Sequence, residues 1–134
     1  MKLLVFDAAG QLGTELVNYF NIRHEVIGID LPEVDVTNIV DGISVSDNIK
    51  HDVIINAAAY TDVDVCELNP DKAFLINELN AENIAIAVDK INSKLILISI
   101  DYVFDGEKKE FYREYDAPNP INIYGISKLQ GIAS

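Results

Sequence analysis

A chain of 134 residues with 49% apolar content and four prolines has the composition of one ordinary globular domain, large enough to bury a core. Its formal net charge of −12 excludes the basic patch that nucleic acid requires and argues equally against docking on anionic lipid. The single Cys66 cannot form an internal disulfide, which suits a reducing compartment. Met1-Lys2 opens directly into an apolar run that Asp7 interrupts, so no signal peptide is read, and no stretch reaches the roughly 20 apolar residues of a membrane span. The expected location is the cytoplasm.

Lys2 to Phe6 reads as a buried parallel strand ending at a glycine-bearing turn. Leu12, Leu16, Val17 and Phe20 then recur at helical spacing. Glu25 to Ile29 is a second strand ending at Asp30, and His51 to Asn56 a third, ending in Ala57-Ala58-Ala59. Asn69-Pro70 signals a helix start, with Asn as N-cap and Pro at the first helical position. From Asp71 to Ile91 the residues Ala73, Asn77, Asn80, Ile84, Ala87, Val88 and Ile91 share one helical side. Leu95 to Ile98 is a fourth strand, a polar loop with Gly106 and Pro118-Asn119-Pro120 follows, and a last helix begins at Asn122.

Alternating strands and helices imply an α/β fold, a Rossmann-type doubly wound parallel sheet with right-handed crossovers. The expected strand order is 3-2-1-4, half of the full sheet. The reading is a single nucleotide-binding domain over residues 1–134, cut within its last helix, with no substrate domain and with strand 4 left as an apolar edge suited to homo-oligomerisation.

Three places can carry chemistry. In the turn Asp7-Ala8-Ala9-Gly10-Gln11-Leu12-Gly13, glycines let the backbone approach a pyrophosphate seated on the N–H groups of the following helix. A plain strand-to-helix turn explains the same residues equally well. Asp30, 20 residues after Gly10, stands where a carboxylate accepts hydrogen bonds from an adenosine ribose and favours NAD over NADP. By itself it is better read as a solvated strand end. Tyr124 and Lys128 lie four apart on one helical face, where an ammonium lowers a phenol's pKa and readies it to protonate a carbonyl oxygen. The alternative is an exposed pair on an amphipathic helix.

Asn77 and Asn80 are read as structural amides bonded to backbone, Cys66 as a small semi-buried residue, and Asp62, Asp64 and Glu67 as a solvated acidic face instead of a metal site. Ser99, Asp101 and Tyr102, at the end of strand 4, could face a substrate, with turn chemistry as the alternative.

Four segments resemble the dTDP-4-dehydrorhamnose reductases, extended short-chain dehydrogenases acting on nucleotide sugars. They are Gly10-Gln11-Leu12-Gly13, Val53 to Thr61 (VIINAAAYT), Asp101 to Gly106 (DYVFDG) and Asn119 to Leu129 (NPINIYGISKL), in the family's order over the whole chain. The resemblance implies reduction of a 4-keto nucleotide sugar by NAD(H) or NADP(H) in dTDP-L-rhamnose synthesis. It implies Tyr124 as proton donor and Lys128 as holder of the nicotinamide ribose. Gly10, Gln11, Leu12 and Gly13 would meet the pyrophosphate, Asp30, Asp35 and Val36 the adenosine, and Ala58, Ala59 and Tyr60 the rest of the cofactor. Asp101 and Tyr102 would approach the sugar.

Three departures argue against turnover by this chain alone. Asp7 stands where the family has a glycine, Ile100 replaces the catalytic threonine, and the substrate domain is absent. A donor aimed at a developing oxyanion is worth roughly 2.7–4 kcal/mol. The adjacent Ser99 points the other way on an extended backbone. The second reading is therefore a non-catalytic Rossmann module that binds a nucleotide or a partner protein.

Overall fold

The computed structural model describes residues 1–30 and 50–133. Four parallel strands, β1 (Lys2–Phe6), β2 (Glu25–Ile29), β3 (Val53–Asn56) and β4 (Lys94–Leu97), form one sheet in the order β2-β1-β3-β4. Leu4 pairs with Ile27 on one side and Ile54 on the other, and Ile54 in turn with Leu95.

The doubly wound parallel architecture is as the sequence implies, but the order 3-2-1-4 is not. β3 lies on the far side of β1 from β2. Apolar runs mark strands without marking their neighbours, so the side on which the third run docks was not legible. Burial shows the arrangement directly: β1 and β3 are almost wholly buried, whereas β2 and β4 are half-exposed.

The chain clusters into two compact units. The first comprises Met1–Ala58 and Asn80–Ile98, the second Ala59–Leu79 and Ser99–Ser134. In the first, side chains alternate across β1. Leu3 and Val5, with Ile55, pack against Leu16, Val17 and Phe20 of helix α1 (Gln11–Phe20). Leu4 and Phe6, with Ile54, pack against Ile84, Ala87 and Val88 of a later helix, Asn80–Lys90. Each face of the sheet is thus covered by apolar side chains, each contributing about 1.5–3 kcal/mol on full burial.

In the second unit, helix α2 (Val63–Leu68) begins at Asp62, whose Oδ1 accepts from the Val65 N–H at 3.0 Å. Pro70 opens α3 (Pro70–Phe74), which is followed by a single π-helical segment, Leu75–Leu79. The helix Asn80–Lys90, which belongs to the first unit, is α4. The one long helix read from residue 71 onward is therefore three successive segments. A short 3₁₀ turn spans Asp101–Val103, and α5 covers Ile123–Ala133. α5 packs against α2, α3, the π segment and the 3₁₀ turn.

Candidate functional site

The strand order reverses at β1, because β2 lies on one side of it and β3 on the other. In open α/β sheets ligands bind outside the carboxyl ends of the strands at such a switch point. The turn leaving β1, Asp7 to Gly13, occupies that place.

The turn is held by its own backbone. The Gly10 N–H donates to the Asp7 carbonyl at 3.1 Å, the Thr14 N–H to the Gly10 carbonyl at 3.0 Å, and the Thr14 hydroxyl to the Ala8 carbonyl at 3.1 Å. Gly13 is required: a Cβ there would run into the Asp7 carbonyl and the Ala8 Cα. Asp7 occupies the left-handed region at φ 60°. A glycine would adopt it freely, whereas a side chain there costs energy, though less for Asp than for most. Burial and the nearby Asp30 carboxylate both push the Asp7 carboxyl pKa up.

Asp30 follows β2, and its Oδ1 accepts from the Ala9 N–H at 2.8 Å. The expected ribose-binding carboxylate thus also ties down the turn, a role the sequence did not reveal. In the same unit the Ala58 N–H donates to the Asn56 side chain at 3.1 Å. Gln11 and Leu12, in the first turn of α1, are exposed. Asp35 and Val36 lie outside the described residues.

The second unit gathers a different set. Tyr124 and Lys128, one helical turn apart on α5, are both buried, so neither is the exposed pair of an amphipathic helix. Tyr124 packs with Cys66 and Ala73, and its ring lies 5.8 Å from that of Tyr102. The expected lowering of the phenol by Lys128 is not what the surroundings produce. Burial chiefly, then Cys66, Asp101 and Tyr102, raise the Tyr124 pKa above its ordinary value. Desolvation disfavours phenolate, and the neighbouring groups that act are acids. Tyr124 therefore keeps its proton at neutral pH, as a proton donor must. Lys128 is only 3% exposed, and burial lowers its pKa, with no carboxylate among the described residues opposing it.

The helix carrying this pair is fixed at several points. Asn122 Oδ1 accepts from the Gly125 N–H and Glu67 Oε1 from the Ile123 N–H, each at 2.7 Å. Gly125 lets the Asp101–Val103 turn press on α5, since a Cβ there would collide with the Tyr102 carbonyl. Asn77, in the π segment, accepts from the Tyr60 N–H at 2.8 Å and donates to the Tyr60 carbonyl at 3.2 Å and the Ser127 hydroxyl at 3.0 Å. π segments are frequent at functional sites, and this one ties the Tyr60 loop to the helix of Tyr124 and Lys128.

Asn77 is thus a backbone-bonding amide, as expected. Asn80 is not: it is fully buried, and neither amide atom has a partner among the described residues. The acidic residues Asp62 and Glu67 are helix caps, which their spacing alone did not show. Cys66 is fully buried instead of semi-buried. Ile100 packs beside Tyr124 and Cys66, whereas Ser99 is exposed. Asp101 and Tyr102 are both exposed.

The family model of the RmlD substrate binding domain matches residues 1–133. The chain belongs to this family. A dTDP-4-dehydrorhamnose reductase of Aggregatibacter actinomycetemcomitans is 42% identical over 132 residues, covering 97% of this chain and 45% of that protein. One from Escherichia coli K12 is 36% identical over 135 residues, covering 98% and 45%. The crystal structure of the dTDP-4-dehydrorhamnose reductase of Bacillus anthracis in complex with NADP superposes with a TM-score of 0.90 at 40% identity, over 98% of this chain and 48% of that one. The chain thus spans about half the length of the RmlD-family relatives it matches. Among the described residues, no helix is long and apolar enough to cross a membrane.

Proposed function

We propose that this chain is the cofactor-holding portion of an RmlD-family reductase that transfers hydride from a nicotinamide dinucleotide to the 4-keto group of a nucleotide sugar. The observation that carries this reading is the buried Lys128, one turn after the buried, protonated Tyr124. Among the described residues no acid compensates its ammonium. A buried cation is costly unless something pairs with it. Hydroxyls of a bound ribose would supply the missing acceptors, and Tyr124 would give its proton to the ketone oxygen.

The fit of the dinucleotide is tested by the turn. Among the described residues no side chain caps the N-terminus of α1, Gly13 lets the turn close on Asp7, and Asp30 retains a second oxygen for a ribose hydroxyl, although Asp7 Oδ2 lies over Gly10. Bound there, the cofactor would supply the hydride. The residues of this chain bind it, orient the ketone and hold the proton at Tyr124. The NADP held by the Bacillus anthracis relative and the reductase names of the relatives support a nicotinamide cofactor and a nucleotide-sugar substrate. The Asp30 carboxylate favours NAD, because it would repel a 2′-phosphate.

A second reading, a non-catalytic Rossmann module, is favoured by one observation: Ile100 packs apolar carbon beside Tyr124 at the position of the family's threonine. Titration with NADH and with NADPH, following nicotinamide fluorescence, separates nucleotide binding from its absence. Saturable micromolar binding by the parent chain, weakened about tenfold in Lys128→Met, supports the cofactor reading. No binding by the folded chain between mildly acidic and neutral pH overturns it. Restoring the hydroxyl with Ile100→Thr, in the chain completed to the length of its relatives, then reads turnover. A gain of about a hundredfold is expected if only the oxyanion donor is missing.

A further inference from the structure

We propose that Asp7 gates the Gly10–Gly13 turn by charge, so that a pyrophosphate-bearing nucleotide binds together with a proton taken up on the Asp7 carboxylate. The inference rests on the reading of this turn as a nucleotide site and adds a determinant of which ligands it accepts.

Three observations within the first unit carry it. Asp7 leaves β1 in the left-handed conformation, and its Oδ2 lies where a side chain on Gly10 would stand. The carboxylate is therefore folded onto the turn, against the backbone that a phosphate would approach. Asp30 already engages the Ala9 N–H, so one donor of the turn serves a carboxylate and a second negative charge stands beside Asp7. Among the described residues no cation offsets the two. Ala8 to Thr14, in the turn and the first turn of α1, and Asn56 to Ala58, after β3, carry no charged residue. Among the described residues, the charged group acting on Asp7 is Asp30.

A glycine turn attracts anions through its N–H groups and the helix dipole. Here a partly desolvated carboxylate opposes them, with burial and Asp30 already raising its pKa. The negative charges of an incoming pyrophosphate raise it further, because they disfavour a third anion in the same turn. The proton comes from solvent, and neutral Asp7 can then donate a hydrogen bond to a phosphate oxygen. By linkage, affinity falls as pH rises above the Asp7 pKa of the free chain. A nucleoside without phosphates escapes the penalty.

The test is calorimetric titration of the chain with NAD⁺ and with adenosine, between about pH 5 and pH 8, in two buffers of different ionisation enthalpy. Asp7→Asn keeps a residue that tolerates the left-handed conformation, so the fold survives while the charge is lost. The parent is expected to bind NAD⁺ more tightly at the acid end and to take up a proton. Asp7→Asn is expected to bind about tenfold more tightly than the parent at the alkaline end, with a flat profile. Adenosine affinity is expected to be the same in both. Equal NAD⁺ affinities and pH profiles for the two chains overturn the gate and leave the nucleotide site standing. A pH dependence that persists in Asp7→Asn places the proton on another group and likewise overturns it. Failure of both folded chains to bind NAD⁺ at any pH overturns the nucleotide reading, and the gate with it.

Discussion

Asp7 and Lys128 are residues whose environments work against them. Asp7 spends backbone energy on a positive φ, of order 1–3 kcal/mol for a residue other than glycine, and loses more by facing Asp30. Asp7→Gly is expected to raise stability by about 1 kcal/mol, the relief being partly offset by glycine's freedom in the unfolded chain. Asp7→Asn isolates the charge. A carboxyl whose folded pKa is raised is destabilising when ionised, so stability is lost as pH rises through that pKa. The gain from Asn should therefore be larger at pH 7 than at pH 4 in urea denaturation. Lys128 has the opposite sign, because burial lowers an ammonium's pKa and the charged form is what destabilises. Lys128→Met is expected to raise the melting temperature at neutral pH, with a gain that shrinks as pH rises towards the lysine range. A lower melting temperature in Lys128→Met would mean that the ammonium has a partner worth more than its desolvation.

At the scale of elements, α5 is the piece that brings function and packing into conflict. Its first turn is capped by Asn122 and Glu67, its middle is held by Asn77 through Ser127, and its Tyr102-facing side is bare at Gly125. A methyl group at residue 125 would meet the Tyr102 carbonyl and, at 3.0 Å, the Pro120 Cβ. Backbone cannot swing aside as a flexible side chain can. Gly125→Ala is expected to cost about 1–3 kcal/mol and to change the near-ultraviolet signal of the Tyr102 and Tyr124 rings. An unchanged stability would show that the Asp101–Val103 turn yields easily. The helices around α5 were only partly legible in the sequence. Asn69-Pro70 announced α3, but α2 lacks the length for an apolar period, and its Asp62 cap reads equally well as one of several surface acids. Asn77 had the right residue type for a buried amide. Its partners, 17 and 50 residues away, are matters of tertiary contact.

For the molecule as a whole, strand edges and net charge pull in opposite directions. Among the described residues β4 pairs only with β3, and Ile96 on it is 47% exposed. An open apolar strand is a template for a second copy. A net charge of −12 on each copy opposes that pairing and is screened by salt. Self-association measured by sedimentation is therefore expected to strengthen from low to high salt and to disappear in Ile96→Lys. A parent chain that stays monomeric at high salt and high concentration would mean that this edge does not pair.

The sequence by itself determined the four strands, helices α1 and α5, both glycines of the first turn, the position of Asp30 at a strand end and the helical spacing of Tyr124 and Lys128. These are local properties, set by periodicity, by the conformational range of glycine and by the identity of short motifs. The tertiary structure alone decided that β3 flanks β1, because every buried parallel strand presents the same apolar run whatever its neighbours. It decided, too, that Tyr124 is raised and Lys128 lowered by burial, and that Ile100 packs against Tyr124. Desolvation depends on what surrounds a group from every direction, and spacing along one helix reports only one of them.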